Sequence, residues 1–156
     1  MIRQPNNKEH RSGVVLVEFA LVVSVFAIFM AGIVEFGHAY MVLGTLNMAA
    51  KHSARMGAVE ESTNDAVTTR ATQILSKSMN VARAEILVKD ASVFDDPTVD
   101  PATITYDSLP DINLEEAEER QLFLVRVNVP YEDVALIPPF WAKNLTLTGM
   151  SVMRHE

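Results

Sequence analysis

The stretch from Gly13 to Val34, G-V-V-L-V-E-F-A-L-V-V-S-V-F-A-I-F-M-A-G-I-V, most constrains what this chain can become. From Phe19 onward only Ser24 is polar. About 20 apolar residues is the length a helix needs to cross the hydrocarbon core of a bilayer. One carboxylate, Glu18, stands near the start of the run. A charge at bilayer depth costs roughly 2.5–3.5 kcal/mol even on lenient insertion scales, and a plain anchor has no use for that cost. Position and charge alone leave two explanations open. Either Glu18 sits at the membrane edge with its head in water, or a cation pairs with it inside.

The flanks carry opposite charge. Residues 1–12 hold Arg3, Lys8 and Arg11 against Glu9, and the acids concentrate after Glu60. A basic flank before a first span keeps that end in the cytoplasm. The part after the span is then exported. With 156 residues, the chain has room for one span and one small domain. Its net charge of −7 argues against sequence-independent binding of nucleic acid, which needs a basic face. The absence of cysteine removes disulfides, thiolate nucleophiles and cysteine zinc sites.

Within the span, Ala20, Ser24, Ala27 and Ala31 recur at spacings of four, three and four. They put small side chains on one helix face, where neighbouring helices can approach closely. Ordinary alanine abundance in membrane helices gives the same pattern. Glu35 continues the row at the far membrane edge. It is expected to be a solvated interfacial charge, with a second partner-pairing carboxylate as the alternative. Beyond it, Phe36, Tyr40, Leu43, Leu46, Ala50, Ala54 and Gly57 step by three or four, with Lys51, His52 and Arg55 off that stripe. This predicts an amphipathic continuation. One helix from about Val14 to Val59 would be on the order of 65–70 Å long. Its first half would sit in the membrane and its second half would pack on the soluble domain.

The domain is expected over residues 61–156, after a membrane helix at 14–36 and its amphipathic continuation at 37–60. Thr63 or Asn64 can cap a second helix, Ala66–Met79, carrying Val67, Ala71, Ile74, Leu75 and Met79 in register. Ala84–Phe94 changes to extended periodicity, Ala102–Tyr106 is a short strand candidate, and Leu122–Val129 is the clearest strand. Asn113–Arg120 reads as an acidic helical turn or exposed loop. Leu145–Met153 reads as the last strand. Between the last two strands, Ile137-Pro138-Pro139-Phe140-Trp141 is a rigid apolar loop. Its aromatics are expected to fold over the sheet, with partner or membrane contact as the alternative. The fold class is α+β: a long N-terminal helix, a second helix and a small antiparallel sheet.

The residue types that carry catalysis are not arranged for it. His10, His38, His52 and His155 have no metal-ligand partner at i, i+4 spacing. There is no phosphate loop and no nucleophile elbow. The pairs Glu115–Glu116 and Glu118–Glu119 lie in a polar run, not among the apolar residues that tune a carboxyl for acid–base work. The chain is expected to be no enzyme, with no cofactor and no metal.

The N-terminus resembles something more specific. R-S-G-V-V-L-V-E-F-A-L at Arg11–Leu21 is similar to the class III signal of the type IV pilin superfamily. It is most similar to the TadE-like pseudopilins of the tight adherence (Flp pilus) system. The later G-I-V-E-F-G at Gly32–Gly37 and A-A-K-H-S-A-R at Ala49–Arg55 carry the same resemblance. The resemblance implies that residues 1–13 are a leader cut off by a prepilin peptidase between Gly13 and Val14. Glu18 and Phe19 match the family's acid–aromatic pair, with the glutamate fifth in the mature chain. It implies that Glu18 recruits the subunit, by meeting the new α-amino group of a neighbouring helix.

The partners implied are the inner membrane, the peptidase, other pilins and pseudopilins, and the pilus platform, in a hetero-oligomer. The location implied is the bacterial inner membrane as a single-pass protein, N-terminus cytoplasmic and domain periplasmic. The major pilins of that system are little more than the membrane helix, so a domain of this size suits a minor subunit for pilus assembly or secretion. Two other functions remain: an uncleaved single-pass anchor carrying a periplasmic binding or sensing domain, and a membrane-tethered enzyme.

Overall fold

The computed structural model describes residues 7–80 and 82–156, with side chains from Gly13 onward. Residues 1–6 of the leader expected at residues 1–13 therefore lie outside the described residues, and of its side-chain positions only Gly13 is described. The first element, α1, runs unbroken from Asn7 to Gly57, 51 residues, about 75 Å at ~1.5 Å per residue. Next come α2 (Asn64–Leu75), β1 (Glu85–Asp90), β2 (Leu122–Pro130) and β3 (Thr146–Arg154). The three strands form one antiparallel sheet in the order β1-β2-β3. The class is α+β, as the sequence predicts.

The second half of α1 supplies every α1 residue buried on this domain. Ala39, Val42, Leu46, Ala49 and Ala50 are buried against Val127, Val129, Leu147 and the α2 residue Leu75. Ala54 continues into a second cluster with Val67, Phe123 and Val125. The closest approach is at Gly149 of β3. A Cβ there would lie 2.6 Å from the carbonyl oxygen of Leu46 and closer still to its carbonyl carbon. Helix backbone rests directly on strand backbone, which only glycine permits.

The predicted stripe holds from Leu46 onward, with Ala50, Ala54 and Gly57 buried as expected, and is corrected at its start. Glu35, Ala39, Val42, Leu46, Ala49, Ser53 and Gly57 face the domain, while Phe36 is exposed and Tyr40 is 78% exposed. Both aromatics fit a three-four spacing, but they sit one position round the helix from the residues that meet the sheet. Lys51, His52 and Arg55 point to solvent as expected.

Helix α1 ends where Gly57 is wedged among side chains. A Cβ there would come within 2.9 Å of Val67 and 3.1 Å of Leu114 and Phe123. The Gly57 carbonyl accepts from Ser62 Oγ at 2.9 Å and lies 3.0 Å from His155 Nδ1. Glu61 turns the chain with a positive φ of 63°. Thr63 then caps α2, its hydroxyl accepting from the Ala66 N–H at 3.1 Å. Asn64, the other cap candidate, ties down the loop instead. Its amide donates to the Ile112 carbonyl and accepts from the Leu114 N–H.

Strand β2 alternates imperfectly because both of its faces are covered. Phe123, Val125, Val127 and Val129 meet the helices. On the other face, Arg126 pairs with Asp107 at 2.7 Å and lies 5.6 Å from the centre of the Tyr106 ring. That cover is the long β1–β2 connection. It holds 3₁₀ turns at Ser92–Asp95, Pro101–Thr103, Tyr106–Ser108 and Leu114–Glu116. The strand expected at Ala102–Tyr106 is therefore two turns. Asp100 caps the first of them through the Ala102 N–H, and Pro101 can start a turn but cannot donate to a sheet. Extended structure expected up to Phe94 stops at Asp90 for a similar reason, because the Asp90 carboxylate accepts from the Ser92 N–H at 2.7 Å and turns the chain.

Candidate functional site

The free half of α1 carries every site residue predicted from sequence. Gly13, Val14, Glu18, Phe19, Ala20, Ser24, Ala27 and Ala31 are all exposed. This is the one helix among the described residues long and apolar enough to cross a membrane. Its only polar residue between Phe19 and Val34 is satisfied internally, Ser24 Oγ donating to the Ala20 carbonyl at 2.8 Å. In hydrocarbon, where no water is available, that removes the cost of a bare hydroxyl. Among the described side chains no cation pairs with Glu18.

The predicted residues do not form one cluster. At 3.6 residues per turn, Glu18 stands roughly 150° around the helix from the row of Ala20, Ser24, Ala27 and Ala31. A neighbour meeting Glu18 is therefore not the neighbour that lies along the small-residue row. That row has a different continuation. It leads straight into Glu35 and then into the residues that face the sheet.

Glu35 is neither solvated nor presented to a partner, which corrects both expectations for it. Its carboxylate is buried and accepts three successive backbone N–H groups from the β2–β3 connection. Phe140 donates at 3.1 Å, Trp141 at 2.9 Å and Ala142 at 2.6 Å. Consecutive N–H groups aimed at one anion form a nest, and charge-assisted bonds of this kind are the stronger class. The backbone of Glu35 is held as well. The buried Tyr131 hydroxyl donates to the Glu35 carbonyl at 2.9 Å and lies 3.3 Å from His38 Nδ1. Tyr131 sits in a single helical turn, Tyr131–Val134, directly after β2. One segment after β2 thus grips one residue of α1 from two sides.

The aromatics of this connection lie against the helix and not over the sheet, which corrects the expectation for Ile137–Trp141. The Trp141 ring packs 3.7 Å from where a Gly32 Cβ would be and 6.4 Å, centre to centre, from Phe36. Phe140 meets Trp141 edge-on at 4.8 Å. A cleft of about 400 Å³ opens between this loop and α1, lined by Ala27, Ala31, Glu35, Ile137, Pro138 and Phe140 among others. Ala27 and Ala31 therefore have an overhanging neighbour in their own chain.

Sequence reasoning missed this latch. The available signal was register: Glu35, Ala39, Val42 and Leu46 step by four, three and four, so Glu35 shares the face of the core residues. Among the described residues no group of three or more His, Asp or Glu side chains gathers where a metal would be held.

A family model described as TadE-like protein matches residues 13–55. The match begins at Gly13, spans the apolar half of α1 and ends just short of Gly57. Neither a curated protein nor a solved structure matches the chain.

Proposed function

From the TadE-like likeness of residues 13–55, within the tight adherence pilus system, we propose that the chain is a minor pilin-like subunit that serves pilus assembly without catalysis. The observation that carries the reading is the free half of α1. It is a continuous apolar helix that, before the loop reaches Ala27, has no partner among the described residues, and it carries one carboxylate, Glu18, near where the family match starts. In this account the prepilin peptidase cuts between Gly13 and Val14, leaving the amine of Val14 four residues before Glu18. The helix crosses the inner membrane with the α+β domain on the periplasmic side. Glu18 then pairs with the α-amine of an adjacent pilin or pseudopilin, since a carboxylate in apolar surroundings is stable only when paired. Because the small-residue row points elsewhere, a second neighbour can pack at its open end, Ala20 and Ser24, while Glu18 is engaged, which fits a hetero-oligomer on the pilus platform.

One observation favours the other account, an uncleaved anchor that displays a binding domain. Helix α1 already begins at Asn7 and runs through Gly13, so a peptidase must unwind that turn before it cuts. The two accounts separate on the intact mass of the membrane-extracted chain from cells with an active prepilin peptidase. A mass beginning at Val14, with Glu18→Gln still cut but no longer recovered with its pilin partners, is the expected result. A chain still beginning at Met1 overturns the pilin-like reading in favour of the anchor.

A further inference from the structure

We propose that the β2–β3 connection is a second membrane contact. Residues 136–141 seat Leu136, Ile137, Phe140 and Trp141 in the headgroup–acyl boundary at the far end of the span, and the Glu35 nest is what lets the backbone of Phe140 and Trp141 go there. This rests on the membrane-spanning reading of α1.

Position comes first. A span that starts at Val14 uses about 20 residues for the ~30 Å hydrocarbon core, so it ends near Val34. The cleft under the loop reaches from Glu35 back to Ala27, roughly the last 10 Å of that span at 1.5 Å per residue. Trp141 rests on Gly32, inside that zone. Lipid that surrounds Ile28, Phe29 and Ile33 must also touch Trp141, which lines with them a second cleft of about 480 Å³.

The side chains have the matching chemistry. Phe140 is 72% and Trp141 41% exposed, with Leu136 and Ile137 exposed beside them. Aromatic rings of this kind concentrate at membrane–water boundaries, and interfacial elements bury about 5–10 Å into the headgroup region. The exposed Lys143 follows at once, where its ammonium can reach the headgroups.

The backbone of Phe140–Ala142 favours lipid contact over water. An irregular loop is excluded from hydrocarbon when its N–H groups lack acceptors. From Pro138 to Ala142 none does. Pro138 and Pro139 have no N–H to satisfy, and those of Phe140, Trp141 and Ala142 all go to Glu35. In water such provision is unnecessary, because water accepts from any exposed N–H. At the edge of hydrocarbon it lowers the cost of leaving water, and it gives the buried Glu35 carboxylate its partners in the same step.

The chain has a single tryptophan, so Trp141 fluorescence reports the loop directly. The full chain is reconstituted in phosphatidylcholine–phosphatidylglycerol vesicles doped with lipids brominated either near the glycerol or near the methyl end of the chains. The expected result is strong quenching by the shallow bromines, weaker quenching by the deep ones, and shielding from acrylamide. The Glu35→Gln chain, with far-ultraviolet circular dichroism unchanged, should lose bromolipid quenching and gain acrylamide access. Quenching that survives Glu35→Gln overturns the role given to Glu35. Trp141 untouched by either bromolipid and open to acrylamide overturns the loop contact. Shielding that grows with protein-to-lipid ratio, without bromolipid quenching, assigns the loop to a second copy of the chain and also overturns it. A Phe29→Trp, Trp141→Phe double variant keeps the two readings apart. Quenching there with none at Trp141 leaves the span standing and the loop contact refuted.

Discussion

The two halves of α1 are continuous in backbone and opposite in circumstance. From Glu35 to Gly57 one face is buried on the sheet, so closely at Gly149 that a Cβ does not fit. From Val14 to Val34 no side chain is buried, although this half is the more apolar. Apolar area is stabilised by leaving water, and the second half achieves this inside the fold. Apart from Trp141 on Gly32 and the loop over Ala27 and Ala31, the first half has nothing in the described fold to pack against, and in this account its partner is lipid or another helix. Burial within a fold and hydrophobicity of sequence are separate quantities, and their mismatch marks the part of the molecule that works by contact with something else.

Substitutions that respect or violate this division should sort by half. The largest effect is expected from Gly149→Val. The clash is with backbone, which rotamer changes cannot relieve, and overpacking of that kind costs about 3 kcal/mol or more. Thermal unfolding of the full chain in detergent, followed by near-ultraviolet circular dichroism, should show a domain close to unfolded. Leu46→Ala, which empties a fully buried site, should cost roughly 2–5 kcal/mol in the same measurement, while Leu21→Ala in the free half leaves the domain transition unmoved. A Leu21→Ala effect as large as that of Leu46→Ala would erase the contrast. Thr63→Ala should cost about 1 kcal/mol. It removes the hydroxyl that caps α2 but leaves the α1 interface intact.

The sequence was most legible where one period governs a long stretch. The span, the amphipathic continuation, α2 and the two long strands all follow from spacing, and Thr63 from cap chemistry. Legibility failed where the partner is distant in the chain. Tyr40 and Val42 both satisfy a helical period, and only the sheet, placed by residues more than 80 positions later, decides that Val42 is the one covered. Glu35 looked like a surface charge because its partners are backbone N–H groups at Phe140–Ala142, and backbone donors leave no mark in a sequence. Ala102–Tyr106 has strand-like composition, yet Asp100 and Pro101 divert it into turns.

The most direct test of the central claim uses the chain's lack of cysteine. Phe29 is 69% exposed in the free half and Met41 72% in the packed half, so the fold alone gives their positions equal access. Single-cysteine variants Phe29→Cys and Met41→Cys, in native membranes, are treated from the periplasmic side with a membrane-impermeant thiol reagent. The account predicts that the cysteine at position 41 labels readily and the one at position 29 stays unlabelled until detergent is added. Equal labelling of the two in intact membranes would contradict it.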